Sequence, residues 1–427
     1  MITVGLDFGT HQTKVCIEKK DSVAPSYSFM RFDDENGNEF FTLPSVVGVS
    51  EDDLLSYGYL PRNFKGDIVR YFKQNAFRTS TSGLSQVNAM YFSTWYLANI
   101  LFDLEDFYGQ EFTIQMGAPT DSSHISQVKE IATRIIASAY RLVEDIFEND
   151  KQKFLATPLD ELTRLTVLVP YSKQIKEEYG LLVFPEAYAC LKPLVSQGKL
   201  AKGMSLMIDI GGGTTDISFF AIKDNLPQVY DFYSINKGLN YLACVDNNSQ
   251  EGTMAKIRDE SAINPVKKIE YINEVKRVCK QLRDKLKSEF KSQTHLNIQR
   301  LWDALENRPL VYCGGGSTFD MLCVQYGGFK DTKRVSFKEW NTRAVKDIAE
   351  IYQNDLFPIL STAYGLAIST ENDNITMKPF RDIFESIRGY KEEVKRPQNS
   401  LLTSRSSIIL GGDYGGFSYT DDFDAWK

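Results

Sequence analysis

The chain has 427 residues, 42% of them apolar and 25% charged, which is an ordinary globular composition long enough for two cores. A net charge of −7 argues against nonspecific nucleic-acid binding as the main task, and no stretch approaches the ~18 apolar residues of a membrane span. Three histidines lie far apart, at His11, His124 and His295, and the six cysteines form no C-x-x-C pair. This disfavours zinc and fits a reducing compartment, the cytoplasm. Met1–Gly9 has no basic start or long apolar core, so no signal peptide is expected.

The first element is "ITVGLDFGTHQTKVCIE", residues 2–18, an apolar run, a turn with Asp7 and Gly9, and an alternating strand. A segment rich in aromatic residues follows over about 20–111 and reads as an insertion. It holds "TLPSVVGV" (Thr42–Val49) and "VRYFKQ" (Val69–Gln74). Ser126–Asn149 has apolar residues at Val128, Ile131, Ile135, Ala139, Leu142 and Ile146, which predicts a helix packed on a sheet. "LLVFPEAYACLKPL" (Leu181–Leu194) predicts a strand ending at Pro185 and a helix opening at Glu186. A Glu there suits the helix dipole, and it can also orient a water.

"LMIDIGGGTTDISFF" (Leu206–Phe220) predicts a hairpin turned by Gly211, Gly212 and Gly213. Three glycines serve either a plain tight turn or the close approach of an anion to backbone amides. Placed beside residues 2–18, Asp7 falls on Asp209, Gly9 on Gly211, Thr13 on Thr215 and Lys14 on Asp216, 202 residues apart. The repeat predicts two related lobes with glycine turns facing one ligand. Asp7 and Asp209 would then hold Mg²⁺, which keeps several waters and takes few carboxylates. Two coincidentally buried Asp residues are the alternative.

A mainly helical insertion is expected over about 241–308. Its helix Lys267–Lys291 has an apolar stripe at Ile272, Val275, Cys279, Leu282 and Leu286, with Lys280, Arg283 and Lys287 on the other face. "PLVYCGGGSTFDML" (Pro309–Leu322) predicts a strand and a glycine turn that a base or ribose can approach. "PILSTAYGLAIS" (Pro358–Ser369) predicts a further helix.

In this order the motifs resemble the actin-like ATPase superfamily of actin, DnaK-type 70-kilodalton chaperones and sugar kinases. "GLDFGTHQTK" is similar to its first phosphate motif and "VFPEA" to its first connecting motif. "IDIGGGTTD" is similar to the second phosphate motif, "VYCGGGST" to the adenosine motif and "PILSTAYGLAIS" to the second connecting helix. The resemblance covers residues 2–378. The Thr42–Val49 and Val69–Gln74 segments look most like the chaperone branch.

The resemblance implies an α/β fold of two lobes, duplicated ribonuclease H-like mixed-sheet cores with inserted subdomains. Lobe I would span 1–195 and lobe II 203–378. It implies ATP-dependent switching: ATP and Mg²⁺ as ligands, hydrolysis to ADP and phosphate, and a protein partner. Asp7, Lys73, Glu186, Asp209 and Asp216 would be catalytic, with Asp7 and Asp209 toward the metal. Gly9, Thr10, Thr13, Gly211, Gly212, Gly213, Thr214 and Gly238 would hold phosphate. Lys280, Arg283, Lys287, Gly315, Gly316, Ser317 and Phe319 would meet adenosine; a solvated charged face is the alternative for the three basic residues. The sequence departs from the chaperone pattern at His11-Gln12, at the order Pro185-Glu186, and at Phe319 in place of an Arg. A filament-forming ATPase, a small-molecule kinase and a degenerate nucleotide-binding scaffold are the rival readings. The 49 residues 379–427 are too few for a chaperone's peptide-binding domain. They read as a flexible tail, with Ile408–Leu410 and the acidic-aromatic run 417–426 as the alternative, a partner-docking motif. No direct nucleic-acid or membrane contact is expected.

Overall fold

The computed structural model describes residues 2–21, 24–77, 84–109, 111–120, 125–169, 173–196, 203–223, 226–243, 263–291, 309–325, 331–334 and 344–370. The expected tail 379–427 and most of the expected insertion 241–308 lie outside the described residues, as do Cys244, His124 and His295.

The chain is mixed α/β, built on two sheets. β1 (Ile2–Asp7) and β2 (Gln12–Lys20) form an antiparallel hairpin, with Ile2 opposite Lys19 and Asp7 opposite Lys14. β3 (Pro25–Phe29) pairs antiparallel with β2. The first sheet therefore continues past residue 20, where an insertion was expected to begin. The inserted part follows. β4 (Phe32–Asp33) and β5 (Glu39–Phe40) make a ribbon, and β6 (Leu43–Pro44) pairs with the start of β2. β7 (Val47–Ser50), β8 (Leu55–Tyr57) and β9 (Gly66–Val69) form a small antiparallel sheet.

The helix Gln86–Tyr108 opens on Ser85, whose side chain accepts from the Asn88 amide at 3.2 Å, satisfying one of the helix's unpaired N–H groups. β10 (Phe112–Ala118) returns parallel to β1, and β11 (Leu182–Pro185) lies parallel to β10. The helix Ile125–Arg141 passes into a π-helical turn, Leu142–Ile146, and buries Val128, Ile135, Ala139 and Leu142, four of the six positions predicted from spacing.

The second sheet repeats this plan. β12 (Gly203–Ile210) and β13 (Thr215–Lys223) form a hairpin, and β14 (Leu226–Ile235) adds antiparallel to β13. β15 (Pro309–Cys313) runs parallel to β12, and β16 (Asp331–Arg334) parallel to β15. The strand orders are β11-β10-β1-β2-β3 and β16-β15-β12-β13-β14. Three parallel strands and two antiparallel ones thus recur in the same order.

Two helices hold the sheets in relation to one another. Glu186–Ser196 contacts β10 and β11 of the first sheet and β14 of the second. Phe357–Ala367, late in the chain, packs on β1, β2 and β10. Both are approached at backbone distance. A Cβ on Gly5 would stand 2.2 Å from the Ala363 carbonyl oxygen, and one on Gly365 would stand 1.8 Å from that of Ala189. One core fills the first half, around Leu6, Trp95 and Ile135. A second lies between the second sheet and the helix Pro265–Lys291. A third, with Cys190, Met207, Phe220 and Leu360, joins them. Among the described residues no helix is long and apolar enough to cross a membrane.

Candidate functional site

The β1–β2 turn and the β12–β13 turn face one cleft of about 880 Å³. Asp7, Gly9, Thr10, Lys73, Glu186, Asp209, Asp216, Gly211 to Thr214, Gly315 and Phe319 all line it. Residues scattered over more than three hundred positions are brought together because the repeat places each hairpin turn at the equivalent end of its own sheet.

Each turn is built locally. The Gly9 amide donates to the Asp7 carbonyl at 3.0 Å, and a Cβ on Gly9 would come within 2.2 Å of the Gln12 carbonyl oxygen. The Gly211 amide donates to the Thr214 carbonyl at 2.9 Å. The Gly211 and Gly212 carbonyls accept from the Leu239 and Asn240 amides at 3.0 and 2.8 Å. That bracing requires Gly238, where a Cβ would sit 2.5 Å from the Gly211 oxygen. Gly238 therefore supports the turn from behind, outside the cleft lining. Gly314, at φ 75°, is the glycine the acid needs: a Cβ there would meet the Asp209 carboxylate at 2.2 Å.

The repeat is structurally equal and electrostatically unequal. Asp7 faces Lys14 across its hairpin, with the Lys14 Nζ 3.0 Å from its carboxylate. Asp209 faces Asp216 instead. Burial pushes Asp209 up to about 7, reinforced by Asp216, Glu186 and Asp7 and opposed by Lys14. Burial also pushes Asp216 up to about 7; Glu186 adds to this, while a hydrogen bond from Ser234 Oγ at 2.6 Å and the Lys73 charge oppose it.

Lys73 and Glu186 form a pair at 2.5 Å, with Lys73 only 5% exposed and its Nζ 5.7 Å from the Phe8 ring centre. The residues expected to balance phosphate charge and to orient water are thus one unit, linking the segment before the helix Gln86–Tyr108 to the start of the helix Glu186–Ser196.

Several expected ligands stand elsewhere. Thr13 is fully buried, its hydroxyl 3.3 Å from that of Ser45, because the alternation of β2 turns it inward. Gly316 packs on Ile210, and Ser317 is buried, donating to the Gly314 carbonyl at 2.8 Å. Lys280, Arg283 and Lys287 do not line the cleft. Their helix buries Tyr271, Val275, Val278, Cys279, Leu282 and Leu286, which turns the basic face away. Ile272, placed in the stripe from spacing, is only partly buried, and Tyr271 and Val278 complete it.

The cleft also holds residues that sequence reasoning did not select as ligands: His11, Lys14, Arg70, Tyr71 and Asn240. Lys14 was visible as the partner of Asp216 in the repeat. Arg70 and Tyr71 sit just before Lys73, and Tyr71 adopts φ 58°, a left-handed backbone that a bulky residue seldom takes. In comparisons with known proteins, no family model matches the chain and no curated relative matches it.

Proposed function

We propose that this chain is an ATP-binding and ATP-hydrolysing conformational switch of the two-lobed actin-like kind, resembling the nucleotide-binding unit of DnaK-type chaperones. One observation carries this reading: two sheets of identical strand order present glycine turns and carboxylates, at equivalent registers, to a single cleft. Amides of glycine turns suit phosphate oxygens, and the basic side chains Lys14, Arg70 and Lys73 add positive charge. The volume suits a nucleotide-sized ligand.

The donor set fits Mg²⁺. Among the described residues no three His, Cys, Asp or Glu side chains converge as a self-sufficient metal site. Mg²⁺ is held by one or two carboxylates and its own waters, and Asp7 and Asp209 both line the cleft. Asp209, which faces Asp216 across its hairpin, and Asp7 would hold it; bound there, the ion would neutralise charge on the phosphates. Glu186 would orient the attacking water, and Lys73, 2.5 Å away, would hold its side chain in place and offset charge on the transferring group. Asp216 would accept from the same water. The helices Glu186–Ser196 and Phe357–Ala367 touch both halves or run beneath the cleft, so closure on nucleotide would be transmitted through them. The free buried thiols Cys16, Cys190, Cys279 and Cys313 support a reducing compartment, the cytoplasm. A protein partner reading the nucleotide state completes the proposal.

Calorimetry with Mg²⁺ and ATP, followed by phosphate release, tests it. Wild type should bind ATP, and Asp7→Asn and Asp209→Asn should weaken Mg²⁺-dependent binding or turnover. A wild-type protein that binds no ATP, or two variants that hydrolyse it at the wild-type rate, would overturn the reading.

A further inference from the structure

His11 is the residue at which the two glycine turns touch. A Cβ on Gly212 would lie 2.3 Å from His11 Cδ2, and one on Gly213 would lie 3.4 Å from Cε1. Nε2 is bonded to both of these ring carbons, so it is directed at the second turn. Nε2 is buried and finds no hydrogen-bond partner among the described residues. A buried polar atom left in that state is destabilising unless a ligand completes it. A protonated ring carries a proton on both nitrogens, so Nε2 then has an N–H to donate.

The surroundings are arranged against a charged imidazole and in favour of an anion. Burial is the main force holding His11 down, to about 4, and Arg70 and Lys14 add to it. Tyr71 packs 5.4 Å from the ring, centre to centre. The neighbouring groups of the second turn are the uncharged Gly212 and Gly213, with Gln74 beside them. Arg70 and Lys14 repel a proton on His11, and the same two cations attract phosphate. Once an oxyanion sits between the turns, an opposite charge lies beside the ring and favours its protonated form.

We propose that His11 is a phosphate ligand that takes up a proton from solvent as ATP binds, donating Nε2–H to a phosphate oxygen at the contact of the two glycine turns. The only bond made is Nε2–H, its proton taken from solvent, and no bond of the nucleotide changes. The inference rests on the ATP reading and names a ligand and a coupled proton within that site.

The chain has three histidines, so selective ¹³C labelling of histidine gives three ring signals, and His11→Gln identifies one of them. ATP binding is followed separately by calorimetry on the full chain. With ATP bound, the His11 titration should rise from about 4 into the ordinary histidine range near ~6.5. His11→Ala should weaken ATP about 10-fold or more, the scale of a charge-assisted bond. His11→Gln, whose amide N–H can reach the same oxygen, should recover most of that affinity without proton uptake. If ATP binds while the His11 signal and its titration stay where they were, the inference fails and the ATP reading stands. If His11→Gln binds as poorly as His11→Ala, the donated hydrogen bond is wrong. If wild type binds no ATP, both fail.

Discussion

Replacing Asp216 by Asn should stabilise the nucleotide-free protein while removing its turnover, and the stabilisation should grow with pH. Asp216 titrates at about 7 in the fold against an ordinary 3.8, with burial as the leading cause. The sign follows from linkage. A carboxyl whose native pKa is raised binds its proton more tightly when folded, so stability is lost as pH climbs from 3.8 through 7. Each pKa step is worth about 1.36 kcal/mol, so the penalty for Asp216 reaches about 4 kcal/mol at pH 8 and about 2 kcal/mol at pH 5. Both figures are upper values, because the carboxyl still meets water in the cleft. Asn stays neutral throughout, and its carbonyl can keep the bond from Ser234, which is 2.6 Å in the wild type. It also removes one of the charges that push Asp209 up. Urea titrations of wild type and Asp216→Asn at pH 5 and pH 8 should therefore show an advantage for the variant that is larger at pH 8 by about 2–3 kcal/mol at most. An advantage that is constant or shrinks with pH would refute the raised titration of the facing acids.

Other perturbations separate chemistry from structure. Lys73→Ala and Glu186→Ala should each bind ATP nearly normally and lose about 10²-fold or more in turnover, since they act on water and developing charge; because they form one 2.5 Å pair, the double variant should cost little more than either single one in single-turnover assays. Equal loss of ATP affinity in both would make the pair structural. Thr13→Val should lower the urea midpoint, by about 1 kcal/mol for the lost Ser45 bond, and leave ATP affinity unchanged; a large affinity loss would return Thr13 to the phosphate site. Gly365→Ala should destabilise by about 1–3 kcal/mol or more, because its Cβ would sit 1.8 Å from the Ala189 carbonyl of the helix below; an unchanged melting temperature would show that the two helices separate freely.

The sequence alone determined what repeats and what is periodic. The strand, turn and strand of residues 2–18 and of 206–220 were legible because alternation and glycine are local signals, and both segments are hairpins with Asp7 and Asp209 in equivalent places. Glu186 opening a helix after Pro185 was legible for the same reason. Tertiary structure alone decided which side of each element faces the cleft. Thr13 belongs to a phosphate-like motif and Ser317 to an adenosine-like one, yet strand alternation and a 3-10 turn bury their hydroxyls against the chain's own Ser45 and Gly314. The basic face of the helix Pro265–Lys291 was correctly read as one face, and only packing of Tyr271, Val278 and Leu282 on the second core shows that it points away. The placement of His11 against Gly212, of Gly314 against Asp209 and of Lys73 on Glu186 depends on contacts between residues 113 to 201 positions apart for Lys73 and His11 and 105 apart for Gly314. No local pattern encodes such contacts. They arise because two helices shared between the sheets hold two independently readable hairpins at one distance and one angle.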